Sequence, residues 1–305
     1  MRIIFIGAVD FSRHCLQEVI RDGGEVVAVL TLGKENSNSH SDYADFSKIT
    51  SRHKIPVHKI KNINHSDTVD LIHSFNPDVL FFFGWSQLVS KEVLKIPPKG
   101  CIGSHAAMLP RNRGRHPIIW ALIEDLKESG LTFFYLDEGI DSGNILWQKS
   151  FPITEDDDAA SLYEKVKDLA AEGIREFMPQ LAKGKVPQIP QDHRLATYWP
   201  KRSEKDGEIN WLLPTRKIYN LIRALAKPYP GAHTYLHNEK MLIQKAKIHT
   251  SSLPVDTFNL KPGTIFDSNE SRFNVKTQDG YLTILEYELP DKTLVHSGIQ
   301  LGKRS

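Results

Sequence analysis

Cysteine is nearly absent from this chain: the 305 residues hold two, Cys15 and Cys101, too few for a disulfide scaffold or a cysteine zinc site. No apolar run approaches the roughly 18–20 residues that cross a bilayer. The opening stretch, MRIIFIGAVDF, lacks a basic head, a long apolar stretch and a small-residue cleavage site in succession, so it does not read as a signal peptide. A soluble cytoplasmic protein is the expectation. An excess of one charge is missing as well: 39 Lys plus Arg stand against 37 Asp plus Glu, a net charge of +2. That balance argues against a nucleic-acid coat and leaves room for a local basic patch. Common cofactor signatures are lacking too, with no G-x-G-x-x-G after the first strand, no P-loop, no G-x-S-x-G elbow and no H-E-x-x-H. The 13 histidines are scattered without paired ligand spacing, and no metal is expected.

What is present is the composition of a packed protein, 40% hydrophobic and 25% charged, long enough for one large domain or two ordinary ones. The first hundred residues alternate between strand and helix. Arg2–Ile6 and Glu25–Leu32 are short apolar runs that suit buried parallel strands. Between them Phe11, Cys15, Leu16, Val19 and Ile20 recur at helical spacing. A polar loop from Gly33 to Ser41 follows, then helices near 43–53 and 67–74 around a short strand at 56–59, and a strand at Val79–Phe83. Repeated β-α-β units imply a doubly wound, Rossmann-like parallel sheet. Helices are expected at 118–127 and at 158–181, the latter behind acidic residues 155–158 that read as capping charge. Residues 184–205 shift to Pro, Gln and polar types and read as a linker. Domain limits of 1–183 and 206–305 follow. The second domain carries one helix, 214–226, and several short β-like runs that suggest a small barrel or sandwich.

The densest stretch runs from Cys101 to Gln148. An open α/β sheet places its ligand crevice at the carboxyl ends of its strands. His105 follows a short strand, 100–103, and Asp141 follows another apolar run, 131–136, so both are expected at that rim. A carboxylate beside an imidazole can orient it and raise its basicity for proton transfer. By spacing alone the signal is weak, and the structural reading of the pair is the stronger one.

The segments SHAAMLPRNRGRHPIIWAL and LTFFYLDEGIDSGNIL resemble the signature of the folate-dependent formyltransferases, at His105, Leu109–Pro110, Arg113–Gly114 and Asp141–Gly143. The resemblance extends through FIGAVDFS (5–12), FGWSQLV (83–89), DGEINW (206–211), Arg223 and PYPGA (228–232), and so covers essentially the whole chain. It implies the formyltransferase fold with an OB-like C-terminal barrel, and 10-formyltetrahydrofolate as donor. It implies His105 and Asp141 as catalytic residues. A folate slot is implied at Trp85, Leu88 and Val89, faced by Leu136, Gly139 and Ile140. Substrate contacts are implied at Ser12, Met108 and Arg113. One position departs from the family pattern: the Asn two residues before the histidine, which helps orient the formyl group and stabilise the oxyanion, is Gly103 here. Loss of such a donor typically costs about 10²–10³ in rate unless something replaces it. Ser104, His116, Trp85 or a water are the candidate replacements, and a catalytically altered binding homologue is the alternative reading.

The acceptor amine is read from charge. A tRNA grip needs phosphate contacts and hence Lys and Arg, yet residues 33–47 hold one Lys and three carboxylates, Glu35, Asp42 and Asp45. Residues 203–305 hold 14 basic and 11 acidic residues. Both counts disfavour methionyl-tRNA, which remains the runner-up. SDYADF (41–46) and RALAKPYPGAHTY (223–235) are similar to stretches of sugar-nucleotide formyltransferases. An amino-sugar nucleotide, a precursor of a cell-surface polysaccharide or glycan, is therefore the expected acceptor. Its diphosphate suits planar Arg forks, with Arg202 and Arg223 as candidates and Lys201 and Tyr229 beside them. Arg113 and Arg115 either face the substrate or cap their loop. No membrane or nucleic-acid partner is expected, and a homodimer is compatible with the sequence.

Overall fold

The computed structural model describes residues 1–33, 42–249, 257–269, 271–290 and 295–302. Most of the polar loop at 33–41, with Glu35, lies outside them. The chain divides into two compact units, one of residues 1–117, 128–153 and 163–200, the other of residues 118–127, 154–162 and 201–305.

In the first unit the elements follow as β1 (Arg2–Ile6), α1 (Asp10–Arg21), β2 (Glu25–Leu32), α2 (Ser47–His53), β3 (Val57–Ile60), α3 (Ser66–Ser74), β4 (Val79–Phe82), α4 (Lys91–Leu94), β5 (Cys101–His105) and β6 (Arg113–Gly114). The short helix α5 (Pro117–Ile123), which apart from Pro117 belongs to the second unit, precedes β7 (Glu128–Tyr135) and β8 (Ile145–Pro152) in the chain. The long helix α6 (Ala159–Ala182) and the two-residue β9 (Tyr198–Trp199) complete it. The seven-stranded sheet has the order β3-β2-β1-β4-β5-β7-β8. Strands β1 to β5 pair in parallel, and the apolar runs of β1, β2, β4 and β5 are buried, as parallel strands covered on both faces require, while the edge strand β3 leaves Val57 and Lys59 exposed. The chain winds outward from β1 through β2 to β3, then returns to place β4 on the other side of β1. Phe81, Phe83, Phe133 and Phe177 pack with ring centroids 5.0–6.1 Å apart, joining sheet to α6.

The expectation of an all-parallel sheet is corrected at one edge. β7 runs antiparallel to β5, with Ile102 opposite Tyr135 and His105 opposite Thr132, and β8 runs antiparallel to β7. The start of β7 therefore lies beside the end of β5, and β7 runs back along it. The expected helix at 118–127 is shorter, ending at Ile123, with Asp125 in the left-handed region at φ 52°.

In the second unit, α7 (Thr215–Leu225) precedes β10 (Ala232–Leu236), β11 (Glu239–His249), β12 (Ile265–Phe266), β13 (Phe273–Lys276) and β14 (Tyr281–Glu288). These strands form one antiparallel sheet of order β10-β11-β14-β13-β12. Acidic residues near 155–158 do cap: Asp158 Oδ1 accepts from Ser161 N at 3.0 Å at the start of α6. Both cysteines are free and buried, and burial pushes the Cys101 thiol up to about 12.

Candidate active site

His105 closes β5 rather than following it, and it is 6% exposed. Its Nε2 lies 2.6 Å from the carbonyl oxygen of Asn112. A carbonyl only accepts, so Nε2 carries a proton and Nδ1 is the basic nitrogen of the neutral ring. Nδ1 faces Asp141 Oδ2 at 3.6 Å, too far for a direct hydrogen bond yet close enough for pairing once the ring is charged.

Asp141 does not reach this place by the strand-end rule, because β7 is antiparallel and ends beside the start of β5. The connection 136–144 carries it back. Leu136 N donates to Cys101 O at 2.8 Å, and Asp141 itself is left-handed at φ 49°. Gly143 is required here, since a Cβ would lie 1.8 Å from the Tyr135 carbonyl oxygen. Gly114 N donates to Asp141 Oδ2 at 2.8 Å, and Gly114, at φ 106°, would place a Cβ 2.3 Å from Trp199 O. The pairing of β6 with β9 thus demands glycine at 114 and aims its N–H at the carboxylate.

At position 103, where the pattern this sequence resembles carries asparagine, a side chain could enter only if Leu136 gave way. Gly103 lies on the same face of β5 as His105, two residues away. A Cβ there would meet Leu136 Cδ2 at 2.6 Å and Phe134 Cζ at 3.2 Å. Leu109, Phe134 and Ile145 form the buried patch behind, with Leu136 packed on it. The space is occupied by apolar side chains, not by the polar group or water expected from the sequence. Ser104 sits on the opposite face by strand alternation and is no replacement.

Of the expected folate slot, Trp85, Val89 and Leu136 pack, partly buried, against one apolar cluster that includes Leu80, Phe82 and Val93. Leu88 (68% exposed) and Ile140 (49%) stand at the surface. Gly139 N donates to Asp137 Oδ1 at 3.0 Å inside the 136–144 connection. Among the described residues the buried Trp85 Nε1 has no hydrogen-bond partner, an orphan donor beside apolar side chains. That combination fits the polar edge of a flat heteroaromatic ring.

The expected substrate residues divide. Ser12 is fully buried, its hydroxyl accepting from Ala8 N and Val9 N at 3.1 and 3.2 Å. It secures the turn after β1 from inside and offers no surface to a ligand. Arg113 is 1% exposed and donates to Gln191 Oε1 at 2.6 Å and Tyr198 Oη at 3.0 Å. Arg223, 5% exposed, donates to the carbonyls of Thr154 and Asp157 at 3.0 and 3.1 Å and to Asp125 Oδ1 at 3.1 Å. Both arginines are buried and direct these donors to partners within the chain. Met108 is half-buried and sits against Gly130. Arg202 and Tyr229 are half-exposed in the second unit, and Arg202 stacks 4.8 Å from the Trp120 ring centroid. Arg115 donates to Ser86 O at 2.7 Å and so ties its loop to the one after β4.

The stretch expected as a linker holds structure that sequence reasoning missed. Ile189 exchanges both backbone hydrogen bonds with Ile145, at 2.8 and 2.9 Å, and Gln191 is 6% exposed. Thr197 Oγ1 accepts from Asn112 N at 2.8 Å.

Residues 1–178 match the family model described as Formyl transferase, and residues 201–298 match Formyl transferase, C-terminal domain. The chain is 30% identical over 294 residues to the methionyl-tRNA formyltransferase of Clostridioides difficile strain 630, covering 96% of this chain and 93% of that one. It is 35% identical over 269 residues to the bifunctional polymyxin resistance protein ArnA of Wigglesworthia glossinidia brevipalpis, covering 88% of this chain. The match spans 40% of the length of that bifunctional relative. The crystal structure of an N-formyltransferase from Helicobacter canadensis with folinic acid and dTDP-3-aminofucose superposes with a TM-score of 0.66 at 18% identity, covering 94% of this chain and 99% of that one. At that identity the likeness is one of fold.

Proposed function

Because this chain belongs to the formyl transferase family over both its N-terminal and its C-terminal portion, we propose that it moves a formyl group from 10-formyltetrahydrofolate to the amine of an amino-sugar nucleotide. The observation that carries the chemistry is the His105–Asp141 pair, 3.6 Å apart, with the basic imidazole nitrogen turned toward the carboxylate. The folate supplies an activated formyl carbon. An amine attacks only when unprotonated, so His105 Nδ1 takes the proton the amine sheds, and Asp141 stabilises the imidazolium that results. The same proton is then available for the departing nitrogen. Gly114 N and the Asn112 carbonyl hold the two groups in place throughout. Leu136 lies over Gly103.

Charge supports the choice of amine. In the described part of the loop after β2, Asp42 accepts from Tyr163 Oη at 2.6 Å and Asp45 from Ser47 N at 2.9 Å, so the loop presents carboxylates where a tRNA backbone needs cations. Arg202, stacked on Trp120, is the remaining candidate for the diphosphate. The methionyl-tRNA relative at 30% identity favours the second reading, methionyl-tRNA formylation. Incubating the protein with 10-formyltetrahydrofolate and a panel of amino-sugar nucleotides, with charged initiator tRNA alongside, tests both. Mass spectrometry should show the gain of one formyl group on a sugar nucleotide. Formylation confined to the tRNA would overturn the proposal in favour of the second reading.

A further inference from the structure

A glutamine in the stretch that composition marks as a linker touches both loops of the site. Gln191 Nε2 donates to the carbonyl oxygens of Asp141 and Gly143 at 2.9 and 2.7 Å. Its Oε1 accepts from Arg113 Nη2 and Nε at 2.6 and 3.2 Å. Two donors and two lone pairs exhaust what a side-chain amide can do, and the residue is buried. The residues flanking Arg113 are the ones that hold the reacting pair: Asn112 O takes the Nε2 proton of His105, and Gly114 N binds the Asp141 carboxylate. The bonds therefore close a ring, from Gln191 through Arg113 to residues 112 and 114, on to His105 and Asp141, and back to Gln191.

We infer that Gln191 is a positioning residue that fixes the Asp141 loop against the Asn112–Gly114 turn and so sets the His105–Asp141 geometry; this rests on the proton-transfer role given to that pair above. The need for such a brace is visible in the backbone. Asn112, Gly114 and Asp141 all lie in the left-handed region, at φ 62°, 106° and 49°, a conformation that persists only where surroundings hold it. Gln191 is itself held on both sides. Ile189 pairs with Ile145 before it, and after it Arg113 N and Arg115 N donate to Thr197 O and Trp199 O at 2.9 and 3.1 Å. The amide thus acts from a fixed strap, and its two donors address the one segment, 136–144, that brings Asp141 to the site.

Gln191→Glu separates positioning from bulk. It keeps the length and pairs with Arg113 as an ion pair, but sets a carboxylate oxygen against the two carbonyls that Nε2 bound. Two measurements on the full chain decide the matter. Hydrogen exchange of amides in 137–144 should rise by roughly tenfold or more while the β1–β4 amides keep their protection. The turnover number in formyl transfer should fall by roughly 10-fold to 100-fold, with both KM values within about threefold of wild type. In an Asp141→Asn background the same substitution should cost no further turnover, because both changes act on one group. If Gln191→Glu does not fold, Gln191→Met, which also lacks the donors, is held to the same criteria. Unchanged exchange in 137–144 overturns the inference whether or not the amine is known. A loss that adds fully to that of Asp141→Asn also overturns it. A wild-type protein that formylates no amine sinks the proposed function instead, and exchange alone then decides the role of Gln191.

Discussion

His105 and Asp141, 36 positions apart in the chain, bring Nδ1 and Oδ2 to 3.6 Å, while the other imidazole nitrogen is fixed by the Asn112 carbonyl at 2.6 Å. The direction of that second bond decides which nitrogen is basic. His105→Ala should lower turnover by about 10²-fold or more, with folate and acceptor binding little changed. Steady-state kinetics on the acceptor check it, and activity within a few-fold of wild type would remove His105 from the mechanism.

Gly103→Asn should not restore a lost oxyanion donor. Its Cβ would overlap Leu136 and press on Phe134, so the substitution should destabilise the fold by about 1–3 kcal/mol, as overpacking does, and leave turnover unimproved. Thermal unfolding and kcat of Gly103→Asn, alone and combined with Leu136→Ala, measure this. A clear rise in turnover of the single variant contradicts the finding that apolar side chains have closed the position.

Arg223 reads from sequence as a phosphate contact and is found bound by two carbonyls and Asp125. Arg223→Met should therefore act on stability. Removing one partner of a buried charged pair costs about 3–5 kcal/mol, and the low end applies because Asp125 is about one-third exposed. The acceptor KM should stay within about twofold of wild type. A preserved melting temperature together with a large KM increase would return Arg223 to the binding surface.

Much of the fold is legible from local pattern. β1 and β2 lie where their apolar runs do, because most of their residues are buried. The direction of β7 is not legible: Leu131–Phe134 are buried, and an apolar run reads the same in either sense. The strand-end rule that sets Asp141 beside His105 applies to parallel strands and does not hold for β7; the loop 136–144 brings the two together. The arginines mislead for a related reason. Arg113 is bound by Gln191 and Tyr198, and Arg223 by two carbonyls and Asp125, partners that no sequence pattern announces. Gln191 hides in the same way, since a polar, proline-rich stretch looks solvated until its side chains are seen turned inward.

Asp279 ties the sheet of the second unit to the start of α7, accepting from Thr215 N at 2.7 Å and Thr215 Oγ1 at 2.6 Å. Burial pushes the Asp279 carboxyl up, but the Thr215 side-chain and backbone hydrogen bonds outweigh it and hold it below the usual carboxylate range. A depressed folded pKa gives stability that is present above the unfolded value, about 3.9, and is lost as pH falls through the folded one. Asp279→Ala should cost about 1 kcal/mol at neutral pH, the scale of a helix N-cap, and less at low pH. Denaturant melts across pH 2–7 (roughly the span in which carboxylates titrate) check the sign; an equal loss at both ends contradicts it.

The ratio of kcat/KM for an amino-sugar nucleotide to that for charged initiator methionyl-tRNA decides between the proposed acceptor and the second reading. The ratio should exceed one by orders of magnitude for at least one amino-sugar nucleotide. It should hold when salt is raised, since few charged contacts are involved, whereas a tRNA acceptor would lose affinity steeply. A ratio below one for every amino-sugar nucleotide, with the tRNA reaction suppressed by salt, would contradict the account.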